Sequence, residues 1–239
     1  MKRYHIQRFD FDSRASILSH EINEAWDELA KNRTQEVRSN IIKDLQFQYG
    51  EENFNTKLNN FIELGIKPFS VVSYHNELFE QSRNAFVIGC YYPALTSVCA
   101  LGERILNHLI LNLRNNFTNY ASFKKVYKNK SFDNWELMIT ALSEWKVLTR
   151  EATKLFRSLY EKRNKAIHFN PETEKNTRQL ALEAIRDFTE IINNQFSIYP
   201  TLPWLFLENG VIYIKKEWEE KPFIKLVYIP NAISSDANI

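Results

Sequence analysis

Apolar residues recur at steps of three and four over most of the chain, with charged residues between them. That period places one apolar stripe on each of a series of helices. Residues 14–48 read as helical: Ile17, Ile22, Trp26 and Leu29 share one spacing, and Thr34, Val37, Ile41, Ile42 and Leu45 form a second helix, separate from the first or continuous with it. The stretch Gly50–Asn53 reads as a turn, and Gly65 with Pro68 closes a short helix over Asn55–Leu64. A further helix spans Ser73–Ile88, ended by Gly89; Pro93 fits the first turn of the next, Pro93–Arg114, whose broad apolar face includes Leu95, Val98, Leu106 and Leu109. Ala94, Ser97, Ala100 and Gly102 on that helix are small and permit close packing.

After a polar connection, Asp133 is placed to cap a helix over Asn134–Val147, and Thr149 to cap one running to about Phe169; Pro171 disfavours helical geometry at Asn170. A last long helix covers roughly Glu174–Phe196. The pattern then changes. Trp204–Ile229 is rich in β-formers, and Asn209-Gly210 is a two-residue hairpin signal, so two or three strands are expected there. The expected architecture is mainly α: an N-terminal helical extension (1–72), a helical bundle (73–199) and a small C-terminal β hairpin or sheet with its tail (200–239).

Composition narrows the class. At 44% hydrophobic and 25% charged the chain suits a globular protein with a large core, and only 5 Gly and 7 Pro argue against linkers or turn-rich β folds. A net charge of +2 makes nucleic-acid binding a matter of local patches. Cys90 and Cys99 are too few for a disulfide framework and, lying among apolar residues, are expected as buried thiols. The N-terminal stretch has no apolar signal segment, and no apolar run is expected to span a membrane, which gives a cytoplasmic, membrane-independent expectation and leaves the glycosylation-type matches at Asn32, Asn116 and Asn129 without meaning.

The chemistry concentrates in KRNKAIHFNP, Lys162–Pro171. The preceding apolar stripe is Leu148, Ala152, Leu155, Leu159 and Ala166. At about 100° per residue Arg163 lies within about 60° of it. An arginine there faces a packed neighbour or an interface and needs a partner. Asn164 and His168 stack on one line, extended backwards by Arg157 and Glu161. Arg163 and His168 lie about 140° apart on the helix, so one copy does not converge them by simple stacking, whereas two copies meeting at this helix would bring both kinds of group into one cleft. The bland alternative is a helix C-terminus at which a protonated histidine meets the negative end of the dipole.

Arg163, Asn164 and His168 resemble the R-x4-6-H motif of HEPN domains, in which a polar residue commonly follows the arginine. Ala85–Ile110 is similar to the first two helices of that family: a short helix, a glycine-and-tyrosine joint, then a helix rich in small residues. The resemblance covers about Ser73–Phe196 and implies an up-and-down helical bundle that dimerises around the motif helix. It further implies a metal-independent endoribonuclease, with no cofactor, in which a ribose 2′-hydroxyl attacks to leave a 2′,3′-cyclic phosphate and a 5′-hydroxyl. Carried over, His168 is the acid or base, Arg163 stabilises the phosphorane charge, Asn164 orients the phosphate or the histidine, and Glu103 orients Arg163. Such proteins serve in phage defence or toxin–antitoxin control, so RNA, a second copy and an antitoxin or regulatory protein are the implied partners. The alternative within the same fold is a non-catalytic module that binds RNA, a nucleotide or a protein. A third reading is a helical scaffold with an accidental motif, and Arg14…His20, which satisfies the same spacing without the polar residue or the helix pair, shows how easily such a match arises.

Two basic groups are candidate RNA contacts. Lys124, Lys125, Lys128 and Lys130 interleave with Phe123 and Tyr127, a pattern that can hold phosphates and stack bases. Arg150, Lys154 and Arg157 form a line on the helix of His168. The plain alternative is a solvated loop for the first group and a solvated helix face for the second. The five histidines show no metal-ligand spacing, and no glycine-rich phosphate loop is present, so no metal or nucleotide cofactor is expected. His108 reads as a packed or surface histidine, and Phe79, Phe86, Tyr91 and Tyr92 as core or dimer interface.

Overall fold

The structure, a computed structural model, describes residues 2–5, 11–167, 171–198, 201–231 and 233–236. In chain order the elements are β1 (Lys2–His5), α1 (Arg14–Ser19), α2 (Glu28–Tyr49), α3 (Phe54–Leu64), α4 (Ser73–Val87), α5 (Tyr91–Leu113), α6 (Phe123–Val126), α7 (Trp135–Glu144), α8 (Arg150–Ile167), α9 (Pro171–Ile191), β2 (Leu205–Glu208), β3 (Val211–Ile214) and β4 (Ile233–Asp236). The chain is mainly α, with an N-terminal helical extension and a small β element built largely from its C-terminal part.

Helix α5 is the centre. It packs against α4, α7, α8 and α9, and buries Leu95, Val98, Leu101, Ile105, Leu106 and Leu109 on the faces those helices cover. By length and composition Tyr91–Asn116 could cross a membrane, contrary to the expectation that no run qualifies; in this fold its apolar positions are enclosed by helices instead. The joint from α4 to α5 is Gly89 at φ +90°, a left-handed conformation that side chains rarely adopt. Cys90, expected to be buried, is exposed at this joint, because the turn lies at the end of the bundle; Cys99, one helix face on, is buried, and burial pushes its thiol up to about 12.

Gly102 sets the closest approach. A Cβ there would lie 2.7 Å from Leu159 Cδ2 and 2.9 Å from Trp135 Cη2, so α7 and α8 sit against bare α5 backbone. Thr149 caps α8 by accepting from the Ala152 amide at 3.1 Å. Asn134, rather than the expected Asp133, caps α7, its side chain accepting from the Leu137 amide at 2.9 Å; the helix starts one residue later so that Trp135 can turn inwards. The last helix begins at Pro171, is kinked at Asn176 and ends in a π-helical turn, Ile192–Phe196.

Three expectations are corrected or narrowed. The first helix does not run on through Ile22 and Trp26: α1 stops at Ser19, and α2, the separate second helix, starts after Asp27, whose side chain accepts from the Ala30 amide at 2.7 Å. The apolar residues between do not form a buried stripe. Trp26 and Leu29 are 45% and 75% exposed, and only Ile41 and Leu45 of α2 are buried. Second, of the two or three strands expected over Trp204–Ile229 two form, and residues 222–228 are helical. Phe223, Ile224, Val227 and Tyr228 are buried at helical steps, and the Tyr228 hydroxyl donates to the carbonyls of Gln195 and Ser197. Third, the N-terminal segment supplies a strand. The antiparallel sheet has the order β2-β3-β1-β4, with β1 between the hairpin and β4. The hairpin itself turns at Asn209-Gly210, both at positive φ, and pairs Leu205 with Ile214.

The extension is fastened by polar contacts. Asn60 of α3, almost fully buried, donates to the Phe86 and Val87 carbonyls and to Tyr91 Oη, and accepts from Arg178 of α9 at 2.9 Å. Arg83 of α4 donates to the Gly65 carbonyl at 2.7 Å, and Lys67 pairs with Glu80 at 2.8 Å.

Two measurements probe this packing. In Gly102→Ala the helical preference of alanine, worth about 1 kcal/mol, works for the variant, but a displaced indole in a filled core costs about 1–3 kcal/mol; a net loss of up to about 2 kcal/mol is expected in urea melts, with unchanged slope. The second concerns His75, which is buried against Ser70, Tyr74 and Phe196. Burial, with a smaller contribution from His108, lowers its value to about 3. An unfolded histidine titrates near about 6.5, so between there and about 3 the unfolded chain binds a proton that the folded chain does not, and stability falls as pH falls through that window. From pH 7 to 5 the loss attributable to His75 is about 2 kcal/mol. It is read as the difference in pH dependence between the native chain and His75→Gln.

Candidate functional site

The motif occupies the last turns of α8. Consecutive residues diverge. Lys162 turns towards α9, where its ammonium donates to Asp187 Oδ2 at 2.8 Å and to Ser158 Oγ at 2.9 Å. Arg163 turns towards α5, where Nη2 lies 3.4 Å from Glu103 Oε2, and Nη1 lies 3.4 Å from Asn164 Oδ1. The packing face on which the sequence places Arg163 thus holds a carboxylate. His168, the remaining motif residue, lies outside the described residues.

Glu103 is held from a third element. The same Oε2 accepts from the Trp135 indole N–H at 2.9 Å, and that indole stacks on Tyr160 with the rings 5.6 Å apart. Helices α5, α7 and α8 therefore meet at one carboxylate oxygen. The Arg163 Nε–H is buried and has no hydrogen-bond partner among the described residues. A guanidinium offers five donors in a rigid fork, and here two weak contacts leave capacity for an oxyanion. The Tyr92 hydroxyl donates to the Ala166 carbonyl at 3.2 Å, tying the end of α8 to the start of α5. Of the aromatic group read as core or interface, Phe79 and Phe86 are buried, Tyr91 is half-buried and Tyr92 is exposed.

An open cleft of about 600 Å³ adjoins Glu103. Arg104 and His108 line it from α5, and Lys130 and Asp133 from the connection. Asn107 fixes that connection in both directions, accepting from the Phe132 amide at 2.7 Å and donating to its carbonyl at 2.9 Å. Lys130 is thereby brought to the same cleft as Glu103. Lys124 and Lys125 lie on α6, a one-turn helix where a loop was expected, and Lys128 follows it with its ammonium 5.3 Å from the Tyr127 ring centroid; all four lysines are exposed. Phe123 and Tyr127 stack on each other at 5.5 Å.

The second basic group is largely neutralised. Lys154 pairs with Glu151 at 2.9 Å, and Arg157 makes a forked contact with Glu136 at 2.7 and 3.1 Å, which holds the Glu136 carboxyl below its usual range. Arg150, at the start of α8, is exposed. The Arg14…His20 match is of another kind: Arg14 is forked onto Asp12 and His20 bonds within its own turn. Among the described residues no group of three or more metal-ligating side chains is assembled.

Residues the sequence reading passed over are Trp135, Arg104 and Asn107. Asn107 stands one turn beyond Glu103 on the same line of α5, a spacing visible in the sequence; the Trp135 contact joins positions 32 apart and left no local signal. Comparison with family models, with curated proteins and with solved structures gave no significant match.

At 3.4 Å, with side chains 21% and 31% exposed, the Arg163–Glu103 pair should couple weakly. A double-mutant cycle with Glu103→Gln and Arg163→Gln is expected to return about 0.5–1 kcal/mol. A coupling near zero in urea melts would mean that the two side chains do not hold each other.

Proposed function

We propose that the chain is a HEPN-type endoribonuclease that works as a cytoplasmic homodimer and needs no metal. In the reaction the 2′-oxygen of a ribose attacks the neighbouring phosphorus and loses its proton to a base. The bond to the 5′-oxygen breaks, and that oxygen takes a proton from an acid, leaving a 2′,3′-cyclic phosphate and a 5′-hydroxyl. His168 supplies the base or the acid, Arg163 balances charge on the phosphorane oxygens, and Asn164 orients the phosphate or the histidine. Glu103 positions Arg163. Phage defence or toxin–antitoxin control is the proposed setting, with an antitoxin or regulatory protein as a further partner.

The observation that carries this reading is the Arg163 guanidinium, tethered by Glu103 and Asn164 while its buried Nε–H has no described partner. The helix order supports it too: α4, a glycine joint, a small-residue α5 bearing Glu103, then the motif near the end of α8. Lys130 and Arg104, in the cleft beside Glu103, are placed to meet a phosphate backbone.

A second reading, a non-catalytic module of the same fold that binds RNA, a nucleotide or a protein, draws on a different observation. Arg163 already has a carboxylate partner, and Lys154 and Arg157 are paired with acids, which reduces the free positive charge along α8.

RNA cleavage in EDTA by the native chain, His168→Ala and Arg163→Ala separates the two, with folding checked by circular dichroism. Cyclic-phosphate products from the native chain, lost in both folded variants, are expected. A native chain that leaves transfer, messenger and ribosomal RNA intact would shift the assignment to the binding module.

A further inference from the structure

A second cavity, of 250 Å³, lies between the first turn of α4, the middle of α5 and the C-terminal π-helical turn Ile224–Tyr228. It equals the liquid volume of about eight waters, a space for a small molecule. Its walls are of two kinds. Ile105, Leu109, Phe196 and Val227 form an apolar side. Ser73, Tyr74, His75, His108 and Asn112 form a polar side on which no described residue is a carboxylate.

The polar side is rich in unused donors. Helix α4 has Val72 at its N-cap, which provides no side-chain cap, and among the described residues the Ser73 and Tyr74 amides at its positive end have no hydrogen-bond partner. His75 provides the second, independent observation. It is 1% exposed, lines the cavity, and its Nδ1 lies 3.0 Å from Ser70 Oγ. Ser70 Oγ also accepts from the Val72 amide, and the only acceptor beside its own proton among the described residues is Nδ1; with that proton given to Nδ1, the imidazole carries its proton on Nε2. Nε2 has no hydrogen-bond partner among the described residues. On the far side of Tyr74, the hydroxyl is bonded to His108 Nδ1 at 2.9 Å.

We propose that this cavity binds a small organic carboxylate, its acid group on the Ser73 and Tyr74 amides and the His75 Nε2–H, its hydrocarbon body against Ile105, Leu109 and Val227. Backbone donors at a helix start together with a buried imidazole donor, and no facing acid, select an anion. The apolar wall selects one with a hydrocarbon body. Burial disfavours protonation of His75, and a bound anion would ease it. His108 also lines the cleft beside Glu103, so an occupant would sit one side chain away from that cleft. The site does not depend on the ribonuclease reading, and binding is measured without RNA.

The test is a titration of the full ¹⁵N-labelled chain with sodium benzoate, benzamide and inorganic phosphate, following the Ser73 and Tyr74 amides and the His75 imidazole by NMR. Benzoate should give saturable shifts at all three groups and bind at least tenfold more tightly than benzamide or phosphate. Leu226→Trp, which fills the cavity from a partly exposed position, should weaken benzoate at least tenfold with the rest of the spectrum preserved; His75→Phe should do the same if it folds. Equal binding of benzamide would overturn the anion assignment, and equal binding of phosphate the hydrocarbon subsite. Unsaturable shifts, or shifts unaffected by Leu226→Trp, would overturn the site.

Discussion

The approach of α7 and α8 to α5 at Gly102 is the contact on which the candidate site rests. Trp135 reaches Glu103 because its ring lies where a Cβ on residue 102 would intrude. The indole N–H then fixes one oxygen of Glu103, and that oxygen meets Arg163. A fully buried indole is costly unless its N–H is bonded, so a core residue and a partly exposed ion pair satisfy each other. Removing the glycine would disturb the core and the motif together, although Gly102 touches neither Arg163 nor solvent.

A similar economy joins the extension to the bundle. Arg178 of α9 donates to Asn60 and to Glu63 on α3 and lies over the rings of Phe86 and Tyr91. Asn60 in turn donates to two carbonyls at the end of α4, those of Phe86 and Val87, the first of which also accepts from the Gly89 amide. The extension thus completes the end of a bundle helix. At the opposite sequence end, Tyr228 and the β1 strand bind the C-terminal element to the α9 terminus and to the N-terminus, so the two ends of the chain share one sheet.

What was legible in the sequence follows the range of the forces involved. Helices α3, α4, α5, α8 and α9 could be read because a 3.6-residue stripe and terminal glycines or prolines are local signals. The broken α1–α2 region was misread because Ile17, Trp26 and Leu29 keep the spacing without the burial: little packs over α2, and periodicity alone does not show whether a neighbour exists. The optional third strand was left open because a run of β-formers is ambiguous at that length; residues 222–228 are helical, and Tyr228 is held to the carbonyls of Gln195 and Ser197. Strand β1 had no sequence signal, since its partners lie more than 200 residues away. The need of Arg163 for a partner was legible from its place on the stripe; that Trp135 would hold that partner was not.

The distribution of charge is the last step. A chain of net charge +2 cannot attract a polyanion by its overall field, so local placement decides. On α8 three cations are closely matched with acids: Lys154 and Arg157 at the surface with Glu151 and Glu136, and Lys162, turned towards α9, with Asp187. The inward Arg163 is matched only loosely, at 3.4 Å, by a carboxylate already bonded to an indole. An indole that shares the carboxylate charge weakens its hold on the arginine and leaves the guanidinium more available to a second oxyanion. Short, forked pairs of the Arg157–Glu136 kind fix a surface, whereas a long contact beside an unsatisfied buried N–H keeps a cation positioned but underused. That contrast along a single helix, rather than the count of basic residues, is the physical argument for placing the chemistry at Arg163.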